Sequence, residues 1–193
     1  MFDLAATLAF APLAAAITAV MALALAMELR GWPLFVQERV GLRGAPFRMY
    51  KLRTMRHAAP GGEPERVVQD WQRYVFTPGD EPQPRVTRLG AFARRTSLDE
   101  LPNLVNVFLG QMSLVGPRPE VPELVAQYPP EYHRRHEVLP GIAGLAQLNG
   151  RSDLPYDAII NYDLAYVDDH SLLTDLRILV LTGWAVACGA GAR

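Results

Sequence analysis

The sequence predicts an α+β chain, mostly helical with a small β-hairpin, carried on an N-terminal membrane helix read as re-entrant and accompanied by interfacial amphipathic helices. Three observations lead there. Residues 4–27 form a run of 24 without a charge, two strand-like stretches flank a glycine-bounded turn at 41–44, and the second half carries four segments of helical periodicity. With 193 residues, 50% of them hydrophobic and 20% charged, the chain is long enough for one domain with a real core and short for two. The net charge of −1 conceals an asymmetry: residues 30–56 hold seven basic side chains against Glu38, whereas residues 153–175 hold six aspartates and neither Lys nor Arg. The single Cys188 excludes an internal disulfide and a multi-cysteine zinc site, and the spaced pair His133 and His136 is read as lying on a solvated helix face.

As a straight helix, residues 4–27 would measure about 36 Å against a hydrocarbon core of about 30 Å, enough to reach across a bilayer. The run is too long for the apolar core of a secretory leader, and Asp3 stands where such a leader carries a basic residue. A buried core helix is the other ordinary reading. Pro12 has no amide hydrogen, so the carbonyl of Leu8 loses its partner, the helix is expected to kink, and in lipid the freed oxygen needs another donor. Two topologies follow: a tilted span with the N-terminus outside, or a re-entrant pair of helices returning to the same face. Both leave the chain after Glu28 in the cytoplasm, because the basic residues of 30–56 obey the positive-inside bias and meet anionic headgroups. Residues 1–30 thus read as a membrane anchor and residues 31–193 as a cytoplasmic domain.

Next come a hairpin over 34–52, with Arg39, Arg48 and Lys51 projecting from it, and a Pro- and Gly-punctuated excursion over 57–84 around a helical candidate at 65–75. Helical patterns follow at 101–109, 121–128, 155–167 and 171–188. The last is apolar nearly all round, with Asp175 and Arg177 as its only charges, and belongs either in a core or in a membrane interface.

The chemistry-bearing residues cluster in sequence. Asp99 and Glu100 lie at a helix start, where either Ser97 and Glu100 form a capping box or Asp99 is itself the cap with Pro102 in the first turn. In either case the helix dipole is expected to lower both pKa values and to favour phosphate nearby. An ionised carboxylate is a nucleophile, and a pair can hold Mg²⁺ while one attacks. Most such pairs are only caps, but Arg85, Arg88, Arg94 and Arg95 precede this one with no carboxylate between, a density suited to pyrophosphate. Arg118 is held between Pro117 and Pro119, which pre-orients its guanidinium for a phosphate; the ordinary alternative is a stiff surface turn. Lys51 is the only lysine beside eighteen arginines. Glycine turns at 140–144 and 149–151 offer Gln147, Asn149 and Arg151 to a polar pocket.

Taken in order, Gln37-Glu38-Arg39-Val40-Gly41, Lys51-Leu52-Arg53-Thr54-Met55, residues 94–102, 113–119 and 140–151 resemble the bacterial sugar transferase family, the monotopic polyprenyl-phosphate phosphoglycosyl transferases, in a minimal form. The resemblance implies transfer of a sugar 1-phosphate from a UDP-sugar to polyprenyl (undecaprenyl) phosphate with release of UMP, at the cytoplasmic face of the bacterial inner membrane, initiating glycan assembly. It implies Asp99 as the nucleophile of a covalent phosphosugar intermediate, Glu100 as its acidic partner beside Mg²⁺, and Arg118 and Arg94 as donor-phosphate contacts. Lys51, Arg53, Gln147, Asn149 and Arg151 match other substrate-site positions. The implied partners are the UDP-sugar, polyprenyl phosphate and membrane lipid, with no nucleic acid; oligomeric state and the particular sugar stay open. This chain departs from the family pattern with Ala11-Pro12 for Ser-Pro, Gln83-Pro84-Arg85 for Asp-Pro-Arg, and Gly144-Leu145-Ala146-Gln147 for Gly-Trp-Ala-Gln. Two other functional classes share these residues: a non-catalytic membrane scaffold and a Mg²⁺-dependent UDP-sugar hydrolase.

Overall fold

The computed structural model describes residues 2–56, 85–150 and 154–188. The excursion at 57–84, its helical candidate and Arg151 lie outside them. The described chain is mostly helical, with two small two-stranded sheets and an apolar N-terminal helix.

Helix α1 (Phe2–Leu29) continues unbroken through Pro12. Most of its apolar side chains, among them Phe10, Leu13, Val20, Leu23 and Met27, stay exposed, and the helix is long and apolar enough to cross a membrane. Both ends nevertheless touch the rest of the protein. The Asp3 carboxylate accepts a hydrogen bond from Ser113 Oγ at 2.9 Å, and Leu25, fully buried, packs with Met21, Leu52 and Ala93.

Strands β1 (Leu34–Val40) and β2 (Pro46–Leu52) form the expected hairpin, in register from Leu34↔Leu52 to Val40↔Pro46. Arg43 and Gly44 at φ 54° and 78° turn the chain between them. An eight-residue helix that periodicity did not reveal, α2 (Arg88–Arg95), docks on the end of β2. Its Thr87 cap accepts from the Gly90 amide at 2.9 Å, and the Thr87 amide donates to Thr54 O at 3.2 Å. A Cβ on Gly90 would meet Thr54 O at 2.2 Å. Gly→Ala inside a helix ordinarily gains about 1 kcal/mol; here the sign reverses, because α2 must leave β2. Thermal denaturation of Gly90→Ala should give a midpoint below that of the parent chain.

Residues 98–100 form a 3₁₀ turn (Leu98–Glu100) that runs into α3 (Asn103–Phe108), shorter than the expected 101–109. Fully buried Asn106 fastens α3 to β2: its Nδ2 donates to Arg48 O at 2.7 Å and its Oδ1 accepts from the Tyr50 amide at 3.2 Å. Strands β3 (Ser113–Val115) and β4 (Gly141–Ala143) pair in parallel. The backbones cross so closely that a Cβ on Gly141 would lie 2.0 Å from Gly116 N. The crossover passes through α4 (Pro122–Val125), a single turn of the expected 121–128, and a 3₁₀ run, Pro130–Glu137. That run overturns the solvated-face reading of the histidines. His133 is exposed, but His136 is buried and stacks on Tyr128 with centroids 6.3 Å apart, and burial beside Arg135 pushes its pKa down to about 4.

After the short α5 (Leu145–Leu148) come α6 (Tyr156–Asp169) and α7 (Leu172–Ala187), close to the expected spans. Helix α7 buries only Ile178 against the described residues, while Leu173, Val180 and Trp184 stay exposed.

Candidate active site

Lys51 stands on β2 opposite Phe35, and the anchoring of α3 by Asn106 brings the turn at 98–100 against it. Lys51 Nζ donates to Glu100 Oε1 at 3.0 Å, and Arg118 NH1 donates to the same oxygen at 2.9 Å. Arg94, at the end of α2, donates from Nε to Thr54 Oγ1 at 2.9 Å and acts electrostatically on Asp99. Five sequence-predicted residues, Lys51, Arg94, Asp99, Glu100 and Arg118, thus come together from β2, α2, the 3₁₀ turn and the loop after β3.

The capping expectation is corrected. Ser97 sits at φ 56°, in the left-handed region, and makes no side-chain cap; an N-cap residue needs extended backbone. The expected lowering of both carboxyl pKa values therefore fails for Asp99. Burial, then the neighbouring Glu100, push the Asp99 pKa up from its ordinary value, against the pull of Lys51, Arg118 and Arg94. Burial acts on Glu100 in the same direction, but Arg118 and Lys51 outweigh it and hold that carboxyl well below the usual range. Glu100 is the fixed anion that anchors two cations, and Asp99 is the less committed carboxylate. None of the described hydrogen bonds falls on its side chain.

Three cations against two carboxylates leave one excess positive charge, so the cluster favours an anion. Mg²⁺ is commonly held through one or two carboxylates together with substrate phosphates. An ionised Glu100 beside Asp99 fits such a shared site.

The remaining described candidates are Arg53, Gln147 and Asn149. Arg53 follows Lys51 by two residues on the β2 side, its guanidinium near Gly31. On α5, Gln147 Nε2 donates to Ile142 O at 3.1 Å, and exposed Asn149 donates to Leu145 O at 2.8 Å. No described contact ties either to the acidic pair. The Gln147 Oε1 atom is buried without a hydrogen-bond partner among the described residues.

Beneath the cluster lies a network that motif reading missed. Arg135, 2% exposed, donates to Arg118 O at 2.8 Å, to Asp163 Oδ2 at 2.5 Å and to Tyr128 Oη at 2.7 Å. Arg39 donates to Pro119 O at 3.0 Å, and Glu120 lies 3.6 Å from Arg39 and 3.8 Å from Arg135. Arg39 therefore does not simply project from the hairpin. Buried Arg135 and half-buried Arg39 grip consecutive carbonyls of the Pro-Arg-Pro loop and set where Arg118 points. A signal for this network was present in sequence: Asp163 falls on the apolar stripe of α6 with Tyr156, Ile159, Ile160 and Tyr166, and a carboxylate there requires a buried cation.

Burial pushes Glu120 up to about 7, against the pull of Arg135 and Arg39. Its folded pKa exceeds its unfolded value, so its stabilisation is complete below the unfolded pKa of about 4.5 and is lost as pH rises through about 7. His136 acts in the opposite direction, but only below its unfolded pKa of about 6.5. Between about pH 6.5 and 8 the stability carried by Glu120 should thus fall by on the order of 1 kcal/mol. Denaturant titrations across that window should show the decline in the parent chain and a flatter profile in Glu120→Gln.

Comparison with known proteins identifies the wider group. A family model described as "Bacterial sugar transferase" matches residues 1–189. The chain is 37% identical over 182 residues to "Galactosyl transferase CpsE" of Streptococcus agalactiae, covering 92% of this chain and 40% of that protein. It is 39% identical over 167 residues to "Uncharacterized sugar transferase EpsL" of Bacillus subtilis, covering 84% and 74%. It is also 38% identical over 170 residues to the Escherichia coli "UDP-glucose:undecaprenyl-phosphate glucose-1-phosphate transferase", covering 84% and 34%. The chain therefore spans about two-fifths of the Streptococcus protein, three-quarters of the Bacillus one and a third of the Escherichia one.

Proposed function

The chain belongs to the bacterial sugar transferase family, and on that premise we propose that it moves a sugar 1-phosphate from a UDP-sugar to polyprenyl phosphate and releases UMP. The observation that carries the proposal is the double clamp on Glu100. Lys51 and Arg118 spend one contact each on its Oε1 and still face Asp99 as charges. Relatives in Escherichia coli and Xanthomonas campestris bear the name of a UDP-glucose:undecaprenyl-phosphate glucose-1-phosphate transferase, which supports the donor and acceptor classes.

In the first step an Asp99 carboxylate oxygen bonds to the sugar-proximal phosphorus; the phosphoanhydride bond breaks and UMP departs with its electron pair. In the second, a phosphate oxygen of the acceptor attacks the same phosphorus and the aspartyl oxygen leaves as carboxylate, giving a lipid pyrophosphate sugar. Arg118 and Arg94 neutralise the phosphate charge that builds up in both steps, and Lys51 keeps Glu100 and Arg118 in register. Mg²⁺, held by Asp99, Glu100 and the donor phosphates, would supply further charge neutralisation. Burial that raises the Asp99 pKa also makes its ionised form more reactive, because the carboxylate is poorly solvated.

The membrane arrangement we propose is an α1 that dips into the cytoplasmic leaflet without crossing, with α7 lying in the interface. A crossing would carry Asp3 about 30 Å from the domain, whereas its carboxylate is bonded to Ser113 while Leu25 lies in the core. The exposed Leu173, Val180 and Trp184 supply the apolar face of α7. In this arrangement residues 31–193 form the cytoplasmic catalytic domain, and the reaction initiates a glycan on its lipid carrier.

The test incubates membrane-embedded protein with UDP-sugars, with and without polyprenyl phosphate, and follows UMP and label on the protein. Acceptor-dependent turnover with transient labelling is expected. Release of free sugar phosphate without acceptor would indicate a hydrolase, and inactivity with every donor a scaffold.

A further inference from the structure

We propose that Asn103 is a further residue of the reacting site, its side-chain oxygen completing with Asp99 and Glu100 a three-oxygen site for a divalent cation that the donor phosphates share; the inference rests on the transferase reading. Asn103 is 1% exposed, and its Oδ1 is buried without a hydrogen-bond partner among the described residues. A buried amide oxygen left unpaired lowers stability, and a leucine of similar size would avoid that cost. The fold alone gives no reason for a carboxamide here, so its use is sought in what lies beside it.

Two contacts with one strand bracket its position. The chain is helical from Leu98 to Phe108, because Leu101 and Pro102, between the 3₁₀ turn and α3, keep right-handed helical dihedrals. Glu100, Asn103 and Asn106 follow one another at intervals of three and so share one side of this run, with successive Cβ atoms about 5–6 Å apart. Glu100 accepts from Lys51 Nζ and Asn106 from the Tyr50 amide, consecutive residues of β2. Asn103 lies between them and is buried as Asn106 is, whereas Val105, Phe108 and Leu109 on the other side are exposed. A helical side chain leans toward the turn that precedes it, which for Asn103 is the turn of Asp99 and Glu100.

Three oxygen groups around that turn carry none of the described hydrogen bonds: the Asp99 carboxylate, Glu100 Oε2 and Asn103 Oδ1. Two carboxylates and a carboxamide are an all-oxygen set, which suits Mg²⁺ or Mn²⁺ rather than a metal that prefers nitrogen or sulfur. A neutral third ligand also adds an oxygen without a third negative charge. Lys51, Arg94 and Arg118 thereby keep their excess of positive charge for the donor phosphates.

The test titrates Mn²⁺ alone into the full chain in phosphatidylcholine nanodiscs and follows its electron paramagnetic resonance. The parent should show a saturable site. Asn103→Leu should bind Mn²⁺ about tenfold more weakly or worse, while its thermal midpoint without metal stays at or above that of the parent. Asn103→Asp, which returns an oxygen to the position, should bind at least as tightly as the parent. In protein labelled with [¹³C]asparagine, bound Mn²⁺ should show a hyperfine coupling to a carboxamide carbon that Asn103→Leu abolishes. Equal affinity in the parent and Asn103→Leu, no saturable site in the parent, or no carboxamide coupling there would overturn the assignment. The coupling is read in the parent chain, so it decides even where the variant does not fold. None of these readings needs turnover. A parent that shows the coupling yet releases no UMP from any UDP-sugar would sink the transferase reading and leave the ligand assignment standing.

Discussion

Asp99→Asn should reduce turnover by about 10⁴-fold or more, the loss seen when a nucleophile is removed from an enzyme that uses one, while leaving the protein at least as stable as its parent. The two halves of this expectation come from one observation. Burial and Glu100 raise the Asp99 pKa, so the fold disfavours the ionised carboxylate that the chemistry requires. Asparagine mimics the favoured neutral form in shape and removes the repulsion from Glu100. The cluster also becomes more positive, so donor binding measured by calorimetry should persist or tighten. Lost turnover together with lost stability would mean that Asp99 is structural. Retained turnover would mean that it is not the nucleophile.

The second large effect is expected far from any phosphate. Arg135→Met leaves Asp163 and Glu120, both 1% exposed, facing each other's field without their shared cation. Breaking a buried ion pair from one side typically costs 3–5 kcal/mol, and a loss of about that size should appear in equilibrium denaturation. Adding Asp163→Leu should recover part of it, since a neutral pair no longer strands a charge. Activity should not recover in the double variant, because the Arg118 carbonyl still lacks its donor and the guanidinium beyond it is no longer fixed. Full recovery of turnover alongside stability would show that the network only holds the fold.

The residues that gather at the site were legible as separate motifs, and their convergence was not. Lys51, Arg94, Asp99, Glu100 and Arg118 are spread over 68 positions, and nothing in local spacing says that Asn106 will pin α3 to β2 and so bring the turn to the lysine. The hairpin was readable because its turn carries its own chemistry, and α1, α6 and α7 because long runs average out local exceptions. The parallel pair β3–β4 was not, since three residues per strand establish no alternation and the close crossing depends on glycines from two distant segments. Helix α2 was hidden for a related reason: Gly90 looks like a helix breaker until Thr54 O is placed beside it. The capping box failed because a four-residue pattern ignores backbone conformation, and Ser97 adopts a left-handed one. Burial of Arg135 and His136 is set by what packs over them, which no local pattern encodes.

The most direct measurement is peptide mass spectrometry of protein quenched during turnover with a UDP-sugar before acceptor is added. The reaction described here puts a sugar phosphate mass on the peptide containing Asp99, formed with one equivalent of UMP and discharged when polyprenyl phosphate is supplied. An adduct on a different residue, or full acceptor-dependent turnover from protein that never carries one, would contradict it.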